Sequence, residues 1–367
     1  MNYDNKLKNL EERRSVSQSV RNSYIFDSAI ASPTKETFLA LKEPSAIRYA
    51  IGAMQPVTKR YTEICFEEGD RVANSLKASL KHLNINTTHE FQGSVPLDIH
   101  IKGVSDVDVL IFHPYVTTQE PVATHTNYTT INDGKSMLDR IKELRVYSES
   151  ILKRNYPAAT VDTSKAKAIN MQGGSLQREV DIVPAHWHDT LEYQNSYLNS
   201  DREVKIYDKE NHKTIGNWPF KHMSAINSRD SLYSGNLKKV CRLLKNLKSD
   251  APNNLESILK PLSSYDIAGL AYHMSYNLNN PEYYDLGLVS KTNSFLLDIL
   301  VNDCAKGRLL TTPDGSRKIL DSKKKENAAI ALVLEVNALN DDIIESLSPY
   351  NKDIGKERLK NKAVRVN

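Results

Sequence analysis

The chain has 367 residues, 40% hydrophobic and 26% charged, enough for one large domain or two ordinary ones with a real core. Lysine and arginine exceed aspartate and glutamate by 49 − 45 = 4, so the overall charge gives no reason to expect nonspecific binding to nucleic acid or to a membrane. Cys65, Cys241 and Cys304 lie far apart, without CxxC or Cys/His zinc spacing, which excludes a disulfide framework or zinc module and leaves reduced, semi-buried thiols as the expectation.

The first 30 or so residues are polar and weakly periodic, and residues 1–44 read as an arm without chemistry of its own. Met1 to Arg14 lacks the apolar segment of a signal peptide, and no stretch approaches the length of a membrane span, so the cytoplasm is the expected location. From Ser45 a helical period runs through Ile47, Ile51, Met54, Tyr61, Cys65, Val72, Leu76, Leu80 and Leu83, a long spine helix that Pro56 should kink or split. Next come Phe91-Gln92-Gly93-Ser94 and a strand from Val104 to Phe112, then a Thr/Pro-rich loop over His113 to Thr130 and a turn at Asn132-Asp133-Gly134. Lys135 to Tyr156 is a second helix, ended by Pro157. Strand patterns follow near Thr160–Val161, Ala168–Asn170, Val180–Val183 and Glu203–Tyr207, where the sheet should end. Pro219 and the stretch Asn227 to Ser231 should separate it from a helical C-terminal third.

In that third, a helix from Ser234 to about Leu247 stacks Lys238, Arg242 and Lys245 on one face, a pattern that is normally the solvated side of an amphipathic helix. Ser263-Ser264-Tyr265-Asp266 reads as a helix cap with a carboxylate three positions on, and a cap is the plain role for Ser264. His186 and His188 flank Trp187 and could form a metal pair, but partnership with loop carbonyls is the simpler reading.

The chemistry concentrates at the acids. Asp106 and Asp108 interrupt an apolar, β-branched run two residues apart, so both project from one face of the strand. Two such charges side by side repel, and a cation is the usual remedy. Asp181 sits in a second apolar strand, Val180 to Val183, suited to a neighbouring position in the sheet. Three oxygen donors on one face suit Mg²⁺, and Gly93-Ser94 offers close backbone approach and a hydroxyl for phosphate oxygens.

Gly93-Ser94, an eleven-residue gap, Asp106-Val107-Asp108-Val109 and the distant Val180-Asp181-Ile182 together resemble the signature of the polymerase-beta-type nucleotidyltransferases. Cys241-Arg242-Leu243-Leu244-Lys245, Leu262-Ser263-Ser264-Tyr265 and Tyr272-His273 are similar to paired helical elements of the cGAS/DncV-like nucleotidyltransferases (CD-NTases). The resemblance covers roughly residues 45–280. It implies an α/β fold in which a mixed-sheet nucleotidyltransferase core over 45–225, backed by the spine helix, is joined to a helical domain over 226–367, with the site in the cleft between them. It also implies two Mg²⁺ ions, with Mn²⁺ possible, held by Asp106, Asp108 and Asp181. Gln92, Gly93, Ser94, Arg242, Lys245 and Ser264 would contact the nucleotide, and Tyr265 would stack on a base. The implied reaction makes a cyclic di- or trinucleotide from NTPs, ATP or GTP first, for a downstream effector in bacterial anti-phage (CBASS) signalling. A linear oligonucleotide synthase, a tailing or nucleotidylating transferase, and a silent nucleotide-binding protein are the alternatives. The zinc module that binds DNA in the animal enzyme has no counterpart here, so activation by DNA is not expected.

Overall fold

Valine, isoleucine and leucine dominate Val107–Phe112 and Val180–Ala185, and such runs belong in strands covered on both faces. The computed structural model describes residues 3–14, 37–121 and 133–365. It divides into two compact units, one of Met1–Val57, Ile99–Val104 and Ile226–Asn367, the other of Thr58–Asp98 and Ser105–Ala225.

The second unit is built on a seven-stranded mixed sheet. Its strands are β1 (Thr88–Gln92), β2 (Val107–Gln119), β3 (Thr160–Asp162), β4 (Ile169–Gln172), β5 (Val180–Asp189), β6 (Glu203–Asp208) and β7 (Lys213–Asn217). The order is β1-β2-β5-β4-β3, with β6 paired to β5 and β7. Only β2 and β5 run parallel; the other pairs are antiparallel. β5 is long enough to pair first with β4, from Val180 to Ile182, and then with β6, from Ala185 to His188. Phe112 and Trp187 stack at 4.2 Å between ring centres over the β6 end of this core.

The Lys59–Lys81 helix packs on the sheet at Gly69, where an added Cβ would lie 2.5 Å from Phe91 Cε1 and 3.0 Å from Val107 Cγ1. Phe91 and Val107 therefore face this helix. Their strand neighbours Gln92 and Asp108 leave by the opposite face.

In the first unit the Asn236–Ser249 helix is central, with Leu237, Val240, Leu243, Leu244 and Leu247 fully buried. It ties off the C-terminal end of the Ser45–Met54 helix, whose last carbonyls have no intrahelical partner. Arg242 Nε donates to the Met54 carbonyl at 2.8 Å, and Asn246 Nδ2 donates to that of Ala53 at 3.0 Å.

Pro56 splits the spine, one of the two outcomes expected of it, into the helices Ser45–Met54 and Lys59–Lys81, with Thr58 capping the second. Several other expectations are corrected. Residues 45–57 consequently group with the helical unit rather than with the sheet. The polar arm contains a helix, Tyr3–Arg14, held by Lys6 on Glu335 and Arg13 on Asp250; residues 15–36 lie outside those described. The loop expected from His113 begins as strand, since β2 runs to Gln119; residues 122–130 and Asn132 of the expected turn lie outside those described. The sheet has two unforeseen edge strands, β1 and β7. Asn227–Ser231 is helical, within Pro219–Leu232, where Arg229 donates to the Tyr272 carbonyl and covers its ring at 3.6 Å. Cys304 is exposed rather than semi-buried. No helix among the described residues is long and apolar enough to cross a membrane.

Candidate active site

Strand register assembles the candidate site. Gln92 of β1 stands opposite Asp108 of β2, Asp108 opposite Asp181 of β5, and Asp181 opposite Asn170 of β4. Four neighbouring strands thus place these side chains in one row across the sheet. Asp106 lies one residue before β2, partly exposed like Asp108.

Gly93 follows β1 with φ +80°, in the left-handed region that favours glycine. A Cβ there would lie 2.3 Å from Asp108 Oδ2, so the backbone runs directly against this carboxylate, and any larger residue would have to displace it. Ser94 opens the turn that follows, which buried Val95 and Leu97 anchor and the bond from Asp98 N–H to the Val95 carbonyl closes at 3.0 Å. Gln92 Oε1 accepts a bond from Asn217 Nδ2 at 3.3 Å, so the unforeseen β7 steadies this end of the site.

Around Asp181 the structure adds residues that sequence reasoning missed. Asn170 Nδ2 donates to Asp181 Oδ1 at 2.7 Å and to Glu179 Oε1 at 2.5 Å, and Lys165 Nζ reaches Asp181 Oδ1 at 3.3 Å. A signal for Asn170 existed: it is a polar residue between Ile169 and Met171 in a strand pattern, and it is only 3% exposed. Lys165 and Glu179 carry no such signal, since both look like ordinary surface charge.

His186 and His188 each have protein partners. His186 Nδ1 lies 2.9 Å from the Trp187 carbonyl, and His188 Nδ1 lies 2.5 Å from Thr118 Oγ1. Burial holds His186 down to about 4, so it is neutral.

Among the described residues no three His, Cys, Asp or Glu side chains group into a ready-made metal cage. Mg²⁺ seldom needs one, because it keeps several waters and takes one or two carboxylates together with substrate phosphates. Asp108 and Asp181, paired in register, offer that number of carboxylates beside a glycine that keeps the approach to Asp108 open. The donors fit a hard cation that comes with a nucleotide.

The other predicted residues belong to the helical unit. A solvated stripe is ruled out for Arg242 and Lys245, which are 5% and 4% exposed; Lys238 pairs with Asp230 at 3.8 Å. Ser263, not Ser264, is the helix cap, in a reciprocal box with Asp266, and Ser264 is the exposed first helical residue. Tyr265 has the Arg317 guanidinium 5.6 Å from its ring centre, and burial followed by the nearby Asp314 carboxylate raises its hydroxyl pKa.

No family model matches the chain. It is 41% identical over 308 residues to the cyclic dinucleotide synthase CdnE of Yersinia aleksiciae, covering 84% of this chain and 79% of that one. It is 31% identical over 252 residues to a c-di-GMP synthase of a Lachnospiraceae bacterium, covering 63% and 69% respectively. Among solved structures, the STING-associated CdnE c-di-GMP synthase from Capnocytophaga granulosa superimposes with a TM-score of 0.70 at 27% identity, over 93% of this chain and 98% of that one. With relatives of this closeness and a polymerase-beta-like sheet that carries its acids in register, the chain belongs to the CdnE cyclic dinucleotide synthases, within the CD-NTase nucleotidyltransferases.

Proposed function

We propose that this protein joins two nucleoside triphosphates into a cyclic dinucleotide and releases two pyrophosphates, with GTP as a substrate. Relatives at 31% and 28% identity are named c-di-GMP synthases, which favours guanine and a ring of two nucleotides. Two Mg²⁺ ions, for which Mn²⁺ can substitute, would offset the phosphate charge and lower the pKa of the attacking ribose hydroxyl. Asp106 and Asp108 would hold both, and Asp181 would complete the shell on the acceptor side. Backbone N–H groups at Gly93 and the Ser94 hydroxyl serve the triphosphate, with Gln92 holding the turn in place. Lys245 and Ser264 are assigned to the β and γ phosphates and Tyr265 to a base, while Arg242, whose Nε donates to the Met54 carbonyl, is assigned to the packing of the helix that carries Lys245. The product would signal to an effector in anti-phage defence, in the cytoplasm.

The observation that carries this reading is the position of Asp108, which has the Gly93 backbone against its carboxylate and stands opposite Asp181 in the strand register. The test is incubation of the purified chain with each NTP and with all four, in Mg²⁺ and in Mn²⁺, with products identified by mass spectrometry after phosphatase treatment. A phosphatase-resistant cyclic species containing guanine is expected. A ladder of linear oligonucleotides, or no release of pyrophosphate, would contradict it.

A further inference from the structure

Glu179 immediately precedes β5 and Asp181 is its second residue, and both carboxylates meet the same buried amide, that of Asn170. Val107 pairs with Val180 and Asp108 with Asp181, and the Val107 N–H donates to the Glu179 carbonyl at 3.0 Å. Four carboxylates, Asp106, Asp108, Glu179 and Asp181, thus lie in or directly before the first residues of two adjacent strands. Lys165, 43% exposed, is a cation paired with Asp181. Asn170, buried in the next strand, reaches both Glu179 and Asp181 with one amide nitrogen.

An asparagine amide supplies two N–H donors without a charge. Both are spent here, one on each carboxylate. The bond to Asp181 engages Oδ1, the oxygen that Lys165 also touches, and so orients the carboxylate with its other oxygen turned away from Asn170. A lysine in place of Asn170 would neutralise the acids and compete with a metal ion; an apolar residue would leave two carboxylates without their buried donor. A neutral bridge fixes the geometry while it preserves the negative charge that attracts a cation.

We propose that Asn170 is a positioning residue for the acceptor-side carboxylate: by bridging Glu179 and Asp181 it holds Asp181 in the orientation in which it receives a divalent cation. This rests on the nucleotidyltransferase reading for its consequence in turnover, but it concerns metal capture, which can be followed separately. Partners that orient a metal ligand typically contribute about 10–100-fold to metal affinity or activity.

The experiment compares the full chain with Asn170→Ala, Asn170→Ser and Lys165→Ala. Mn²⁺ is titrated at a fixed concentration of a non-hydrolysable GTP analogue with the melting temperature as readout, and product formation is followed against Mg²⁺ concentration. In Asn170→Ala the Mn²⁺ concentration that gives half the thermal shift, and the Mg²⁺ concentration that gives half-maximal turnover, should each rise about 10–100-fold. Asn170→Ser, which keeps one donor, should fall between, and Lys165→Ala should leave both midpoints within about threefold, as expected for a partly exposed ion pair. An Asn170→Ala chain that melts earlier but keeps both metal midpoints would overturn the proposal, because Asn170 would then be only structural. So would a wild-type chain whose melting temperature does not respond to Mn²⁺ with the analogue. A wild-type chain that responds to Mn²⁺ yet forms no product would contradict the proposed function while the metal titration still decides the role of Asn170.

Discussion

Gly93 lies so close to Asp108 that a methyl group on its Cα would sit 2.3 Å from the Asp108 Oδ2 atom. The glycine is also at φ +80°, where an L side chain costs about 1–2 kcal/mol. Gly93→Ala should therefore disturb the acid itself as well as the turn. Product formation should fall by more than the loss of stability explains, with a melting temperature only a few degrees lower. A variant with wild-type turnover would show that Asp108 moves aside freely and that the close approach has no part in the reaction.

Arg242 and Lys245 are both buried on the Asn236–Ser249 helix, and their substitutions should separate structure from substrate contact. Arg242→Ala removes the donor to the Met54 carbonyl and should lower unfolding stability by about 1–3 kcal/mol, measured by urea titration. Lys245→Ala should act chiefly on the KM for NTP, the loss of a charge-assisted bond being about 1.5–3 kcal/mol. A KM for Lys245→Ala equal to that of wild type would remove Lys245 from the triphosphate contacts.

His113 and His186 are each held near a pKa of about 4, first by burial, against 6.5 for an unfolded chain. The native state binds fewer protons at these rings than the unfolded state does between those values. Stability is fully present above about 6.5 and falls as pH drops from there towards 4, by up to about 1.4 kcal/mol per pH unit for each ring. His186→Gln should flatten the fall between pH 6.5 and 4.5 relative to wild type, as followed by denaturant midpoints. An unchanged slope would mean that His186 is protonated in the native state.

Much of the site was legible in the sequence because its chemistry is local. Asp106, Asp108 and Asp181 stand out as acids in apolar strand patterns, and Gly93-Ser94 as a turn before them. Their mutual register was not legible, since the pairing of Asp108 with Asp181 depends on a parallel crossover that no local pattern encodes. The edge strands β1 and β7 escaped for a related reason: edge positions leave one side to solvent, and Thr88–Gln92 and Lys213–Asn217 are correspondingly polar. Helical spacing placed Arg242 and Lys245 on one face but could not say that the face is covered, because burial is a tertiary property. The shift of the cap from Ser264 to Ser263 follows from Asp266, which lies three positions after Ser263 and so completes the reciprocal pair.

Asp106, just before β2, and Asp108, within it, should together hold the cations for nucleotidyl transfer, and product formation from labelled GTP by the Asp106→Asn, Asp108→Asn double variant beside wild type tests this. Wild type should yield a phosphatase-resistant cyclic product in Mg²⁺. The double variant should yield none, while its melting temperature in metal-free buffer stays level or rises, because repulsion between like charges is relieved. Turnover retained in the double variant would contradict the account.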